Sequence, residues 1–437
     1  MKDKIKFGSE LLDIEISDGT DIEIMLPKEQ EKREITEDAI VWEALKNPIG
    51  SGSLAAEIKR GDRVCILTND ITRLTRSHIY IPILVEELNK IGIPDQDITI
   101  LFANGMHSGM SEEQMTDLIT REVYERVQVY QHDCVSSPCQ MVGTTSYGHD
   151  VWANEIAMKA DKLILTGGIL VHHMAGFGGG RKDIIPGCAR KDTILNNHKM
   201  VIDPNAQAGV LENNPVHLDF MEACAFTKPA FLLNVLCDDH GKICGAVAGH
   251  WRDAYMYGTE MAKKLYLYPI DTQPDVVIAS CGGFPKDIDL RQSKKGFYNA
   301  SRAVKDGGTV ICLAECREGC SKEMDDPFEE WLGRFRDLES VKTELKQNVN
   351  MGGLNCYKVR EVQSHCRLVL ITELDQKRMA DVGVECYPKE ELNQVIQDIL
   401  DEYTKPKVLY MPQAGLTLPC YKKKAEDEKE DRGSETI

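Results

Sequence analysis

The sequence predicts an α/β protein of two domains, each a mostly parallel sheet flanked by helices. Three observations predict it. Short apolar runs alternate with stretches of helical spacing. The alternation stops and restarts near 266–274. The chain has 437 residues, too many for one core, since domains run to roughly 100–200 residues. Strands of a parallel sheet covered on both faces read as continuous apolar runs, and these do.

The elements follow in order. RVCILTND (63–70) is a buried strand ending in polar residues, and SHIYIPILVEELNKIG (77–92) is a helix stopped by glycine. ITILFANG (98–105) is the next strand. SEEQMTDLITREVYERV (111–127) is a helix with a serine cap. DKLILTGGIL (161–170) and FLLNVLCD (231–238) complete the first set. DVVIAS (275–280) opens the second, followed by a helix near 290–305, GTVICLAE (308–315) and helical segments near 325–346. RLVLITEL (367–374), the helix KEELNQVIQDILDEY (389–403) and VLYM (408–411) close it. The expected domains are therefore 1–268 and 269–415. Residues 416–437 are charged and poor in apolar side chains, so they are expected to be disordered.

The charge balance excludes whole classes of partner. Lys and Arg number 52 against 70 Asp and Glu, a net charge of −18. Such a chain repels nucleic acid and anionic membranes. No apolar leader opens the sequence and no run of about 18 apolar residues occurs, so a cytoplasmic protein is expected. The 15 cysteines are scattered. Cys312, Cys316 and Cys320 are four apart, without the two-residue gap of common metal motifs, and read as buried thiols.

In open parallel sheets, ligands bind beyond the carboxyl ends of the strands. That rule selects four polar clusters, expected to converge in a cleft between the domains. TNDITR carries Asp70 and Arg73, a carboxylate and a guanidinium suited to clamping a carboxylate. NGMHSG carries His107. VHHMAGFGGGRKDIIPG carries His172, His173, the glycines 178–180, Arg181 and Lys182. DLRQSKKG carries Arg291, Gln292, Lys294 and Lys295. Glycines beside basic residues suit a phosphate, although the loop is neither a Walker A sequence nor a dinucleotide fingerprint. A tight turn with solvated cations explains the glycines equally well. Two histidines from different loops can serve opposite faces of a small molecule, as a racemase requires. His198 could ligate a metal; by spacing alone it is as well read as a surface residue.

Together TNDITR, NGMHSG, HHMAGFGGGRKDIIPG, the later NNH and DLRQSKK resemble the nickel-dependent lactate racemase family, over roughly residues 10–415 and in the same order. The resemblance implies an isomerase that inverts C2 of a 2-hydroxyacid by hydride transfer. It implies a nickel-pincer nucleotide, pyridinium-3-thioamide-5-thiocarboxylate mononucleotide nickel, tethered to Lys182 and made by separate cofactor-biosynthesis enzymes. By motif position His198 is the nickel ligand, and His107 and His172 are the acid/base pair. Arg73, Gln292 and Lys295 bind the substrate. Gly178, Gly179, Gly180, Arg181 and Asp70 lie against the cofactor. An aromatic residue is expected where Arg291 stands. A second cation there suggests a substrate larger or more acidic than lactate, such as malate or a sugar acid. The alternatives are lactate itself, or a nucleotide- or phosphate-binding protein without turnover. A zinc hydrolase would leave Lys182 without a covalent role.

Overall fold

Apolar runs become strands where their composition predicts them. The computed structural model describes residues 1–28, 35–73, 75–321 and 326–421, which divide into two compact units, 28–265 and 1–27 with 266–437.

In the first unit a six-stranded sheet runs in the order Ile243–Gly249, Phe231–Cys237, Lys162–Gly168, Val64–Thr68, Ile98–Phe102, Gln128–Gln131. All neighbours are parallel except the hairpin pair at the 243–249 edge. The register sets Ile66 beside Ile100 on one side and Ile164 on the other. These three are fully buried in one core with Leu84 and Leu88. Those leucines lie on the Ser77–Ile91 helix, where Ile81, Leu84, Val85 and Leu88 recur at helical spacing and face the sheet. Gly92 ends that helix at φ +99°, a left-handed position that glycine takes without a Cβ clash.

The helix expected over 111–127 is two helices, Glu112–Ile119 and Arg121–Arg126. Ser111 and Gln114 form a capping box at the first. Thr120, at φ 70°, breaks the run and caps the second through its side chain, which accepts the Val123 N–H. A pattern of apolar spacing passes through such a break unmarked.

The second unit holds a parallel sheet in the order Glu385–Tyr387, Arg367–Ile371, Thr309–Leu313, Val276–Ser280, Lys407–Met411, Asp21–Ile24. Its last strand comes from the N-terminus, pairing Ile22 with Val408 and Ile24 with Tyr410. The expected boundary of 1–268 is corrected accordingly: residues 1–27 belong to the C-terminal unit. The reason is the open edge of Lys407–Met411, which Asp21–Ile24 satisfies with backbone hydrogen bonds. The preceding hairpin, Lys2–Phe7 with Glu10–Glu15, buries Ile5, Phe7 and Ile14 in the same core as Ile278 and Ile311.

The expected disordered tail is also corrected in part. Leu418–Tyr421 is a strand parallel to Leu267–Ile270, so order extends through Tyr421. Residues 422–437 lie outside the described residues. Cys312, Cys316 and Cys320 are buried, and burial pushes the Cys320 thiol up to about 12. Among the described residues no disulfide forms, and no helix is long and apolar enough to cross a membrane.

Candidate functional site

The loops after three parallel strands of the first unit are lashed together. Asn69, following Val64–Thr68, donates from Nδ2 to Asp183 Oδ1 at 3.2 Å. The backbone N–H of Gly105, following Ile98–Phe102, donates to the Gly187 carbonyl at 2.9 Å. TNDITR and NGMHSG are thus both anchored to the segment after the glycine cluster.

Asp70 is 3 % exposed. Its Oδ1 accepts the Thr72 N–H at 2.7 Å, and its Oδ2 lies 2.9 Å from His107 Nδ1. Burial pushes this carboxyl up, but the hydrogen bond and charge of His107, with Arg73 and Thr72, outweigh it. They hold Asp70 well below the usual carboxylate range. An ionised carboxylate only accepts, so His107 carries its neutral proton on Nδ1 and presents Nε2 as an acceptor. Asp70, expected against the cofactor, is instead placed behind His107. Arg73 is half-buried and adds its charge to Asp70.

His172 lies in a short hairpin, opposite Gly176. Its Nδ1 faces two backbone donors, Met174 N–H at 3.4 Å and Ala175 N–H at 3.2 Å. A nitrogen facing N–H groups accepts, so the neutral ring holds its proton on Nε2. At rest His107 therefore presents an acceptor and His172 a donor. The His173 ring stacks on His172, centroids 4.6 Å apart. Gly176 is a steric necessity, since a Cβ there would stand 2.2 Å from the Val210 carbonyl oxygen.

The glycine cluster is packed against its own sheet. A Cβ on Gly179 would lie 2.8 Å from Asn234 Oδ1, and one on Gly180 3.0 Å from Leu232. Gly178 is half-buried and runs beside the Gly168 carbonyl. Arg181 is fully buried. Its guanidinium donates to the carbonyls of Phe177 at 3.0 Å, Gly178 at 3.2 Å, Gly179 at 3.3 Å and Ala175 at 3.0 Å. It also stacks 4.3 Å from the Tyr255 ring centroid. The expectation that Arg181 meets a phosphate is corrected: the side chain is fully buried and both of its terminal nitrogens donate to the loop's own carbonyls. Arg181→Met removes all four of these hydrogen bonds, although the Ala175 and Gly179 carbonyls keep a backbone donor, and is expected to lower stability by about 3 kcal/mol or more. Arg181→Lys restores little, because an ammonium lacks the planar fork. Denaturant midpoints check this; a Met variant as stable as wild type would remove the clip role.

Lys182 and His198 share one aromatic neighbour. Lys182 Nζ is 6.0 Å from the Phe220 ring centroid, and the His198 ring centroid is 6.3 Å from it. His198 is 6 % exposed and ends the helix Lys191–His198. Its Nδ1 lies 3.2 Å from Asn197 Oδ1. His198 is thus not the surface residue its spacing allowed. Among the described residues no group of three or more His, Cys, Asp or Glu side chains is arranged to hold a metal.

Asp183, next to Lys182, is 1 % exposed. Burial drives its carboxyl well above the ordinary range, against the Thr166 N–H, the Lys182 charge and Asn69. A raised folded value means the folded chain holds a proton that the unfolded chain has lost. Stability from this group is full below the unfolded value near 3.9 and is lost as pH rises through the folded one. Asp183→Asn removes that slope. The variant is expected to gain on wild type in thermal midpoint as pH rises from 5 to 8; a constant gap would refute the raised value.

In the other unit, Asp289 caps the Leu290–Ser301 helix by accepting the Gln292 N–H at 2.7 Å. Gln292 and Lys295 are half-buried. Arg291 is 6 % exposed and stands 3.8 Å from the carboxylate of Asp326. Asp326 thus meets its charge within its own unit, where the sequence led to the expectation of a second cation for the substrate. Lys294 is buried against Asn355. Burial, with the charges of Arg291 and Lys295, lowers its amine to about 7. The sequence by itself points to no role for Asn69 or Asp183, because nothing in TNDITR or GGGRKD shows that the two side chains meet.

A family model described as the lactate racemase N-terminal domain matches residues 7–209, and one for the lactate racemase C-terminal domain matches 270–397. The chain is 36 % identical to the lactate racemase of Thermoanaerobacterium thermosaccharolyticum over 318 residues, 72 % of this chain and 73 % of that protein. It is 34 % identical to the lactate racemase of Lactiplantibacillus plantarum over 322 residues, 71 % and 75 % of the two chains. The structure of the T. thermosaccharolyticum lactate racemase apoprotein superposes with a TM-score of 0.88 at 29 % identity, covering 96 % of this chain and 100 % of that one. A Thermotoga maritima protein shares the fold at a TM-score of 0.66 and 17 % identity, over 89 % and 98 % of the two chains. The chain belongs to the lactate racemase family and is an isomerase of the racemase class.

Proposed function

We propose that this racemase inverts C2 of a short 2-hydroxyacid, using Lys182 to tether a nickel-pincer nucleotide and His198 to complete its nickel coordination. The observation that carries the reading is the pair of histidines whose Nδ1 atoms face opposite kinds of partner, the Asp70 carboxylate for His107 and two backbone donors for His172, which favours opposite tautomers.

The C2 hydrogen beside an ionised carboxylate is a very poor acid, so proton abstraction there is disfavoured. When bound, the cofactor supplies an acceptor for that hydrogen as hydride. His107 then takes the hydroxyl proton at Nε2, and Asp70 stabilises the imidazolium it becomes. His172 serves the other face, donating from Nε2 to the substrate oxygen. Arg73, Gln292 and Lys295 hold the carboxylate. Lys182 and His198 fit the cofactor because both flank Phe220, and the His198 Nδ1 contact with Asn197 would orient the imidazole toward a metal. One imidazole suffices where the cofactor brings the remaining soft donors. The glycines 178–180 admit the nucleotide beside Lys182.

Lactate is the substrate named for both relatives. The argument for a malate-like or sugar acid came from Arg291, whose charge faces Asp326. A substrate panel decides: a preference for lactate, unchanged in Arg291→Tyr, removes the larger substrates.

The test of the whole reading is co-expression with the cofactor-making enzymes, then intact mass and metal analysis. An adduct on the Lys182 peptide with bound nickel is expected, and C2 deuterium is retained in the inverted product. No adduct and no nickel, with a loaded relative as positive control, defeats the reading. Deuterium lost to solvent would indicate proton abstraction instead. A phosphate-binding protein without turnover would bind its ligand equally well with His107 and His172 changed to alanine.

A further inference from the structure

Behind His198 lies a fully buried polar chain that the reaction does not use. Asn197 and Asp219 are both 0 % exposed. Asn197 Nδ2 donates to Asp219 Oδ2 at 2.8 Å and to the Val216 carbonyl at 3.2 Å. With two acceptors facing its nitrogen, the amide can turn only one way. Its Oδ1 must be the atom that meets His198 Nδ1 at 3.2 Å. The second carboxylate oxygen of Asp219 accepts the Thr145 hydroxyl at 2.6 Å, with His149 Nδ1 at 3.3 Å. Asp219 immediately precedes Phe220 on the helix Pro215–Thr227, whose ring both Lys182 and His198 flank.

We infer that Asp219 is a positioning residue for the metal ligand, acting through Asn197 to keep the His198 proton on Nδ1 and the lone pair on Nε2. This rests on the nickel-pincer reading above. A carboxylate that only accepts forces Asn197 to offer its nitrogen to Asp219. Asn197 therefore offers its oxygen to His198, and that oxygen fixes the tautomer. Hydrogen bonding of the outer nitrogen also raises the basicity of the ligating one. Packing alone does not require this order: an amide at 219 fills the same space, yet it can donate to Asn197, which leaves the more distant Val216 carbonyl as the one acceptor holding the Asn197 nitrogen and opens the turned amide. His198 Nδ1 would then face an N–H, and Nε2 would carry the proton.

Two measurements test the relay. The first uses wild type without cofactor: ¹⁵N-histidine NMR, with the His198 signals assigned through His198→Gln. Protonated Nδ1 and unprotonated Nε2 are expected; the opposite tautomer overturns the inference, whether or not Asp219→Asn folds. The second uses Asp219→Asn loaded by co-expression. The Lys182 adduct is expected at wild-type mass, with nickel lost to a chelator about 10–100-fold more readily. Folded, adduct-bearing Asp219→Asn that keeps nickel like wild type overturns the inference. If wild type takes up neither adduct nor nickel, the cofactor reading fails, and the same NMR measurement on cofactor-free Asp219→Asn still decides: His198 protonated on Nε2 supports the relay, and an unchanged tautomer overturns it.

Discussion

Lys182→Ala is expected to abolish the covalent adduct and drop racemisation to the uncatalysed background, at least about 10⁶-fold below loaded wild type. The side chains left in place can move a hydroxyl proton, but none accepts a hydride, so the difficult step has no agent without the cofactor. Lys182 follows the buried Arg181 clip and precedes Asp183, which accepts from Thr166 and Asn69. Its backbone is held on both sides, so truncating its half-buried side chain should leave the fold intact. Intact mass, nickel content and turnover check this together. Wild-type turnover in a folded Lys182→Ala without adduct would show that the lysine is not the tether.

Asp70→Asn is expected to lower turnover by about 10²–10⁴-fold while leaving adduct and nickel in place. The asparagine oxygen would still accept the Thr72 N–H that Asp70 accepts at 2.7 Å. Its nitrogen would then face His107 Nδ1, where the carboxylate now lies 2.9 Å away. His107 would move its proton to Nε2 and lose the acceptor needed for the substrate hydroxyl, and no charge would stabilise its imidazolium. The same group predicts a pH effect on stability. Its folded value is depressed by His107, Arg73 and Thr72 despite burial. Its contribution is therefore full above the unfolded value near 3.9 and disappears as pH falls through the folded one. The stability gap between wild type and variant should be widest near neutrality and close in acid. Unchanged turnover in a folded, loaded variant would remove Asp70 from the reaction.

Much of the architecture was legible because strand and helix periods are local. The runs 63–70, 98–105, 161–170 and 231–238 all contain strands of one sheet, and those of the second half contain four strands of another. The short segment DIEI at 21–24 carried no such signal. Its place beside Lys407–Met411 depends on a sheet edge nearly four hundred residues away in sequence. Thr120 shows the same limit on a small scale: a φ of 70° breaks a helix without interrupting its apolar spacing.

By itself the sequence determined the fold class, the family, and the strand-end loops that carry His107, His172 and Lys182, with His198 on the short helix that follows. Tertiary structure alone decided what each polar group faces. Arg181 and Lys182 are adjacent and look alike as cations, yet one is spent on four carbonyls of its own loop and the other flanks Phe220. Arg291 reads as a substrate cation until Asp326 is found beside it, and Asp70 as a cofactor contact until it stands behind His107. The physical reason is common to all three. A motif states which charges and donors are available, but their use depends on acceptors and counter-charges that only folding brings within about 3–4 Å.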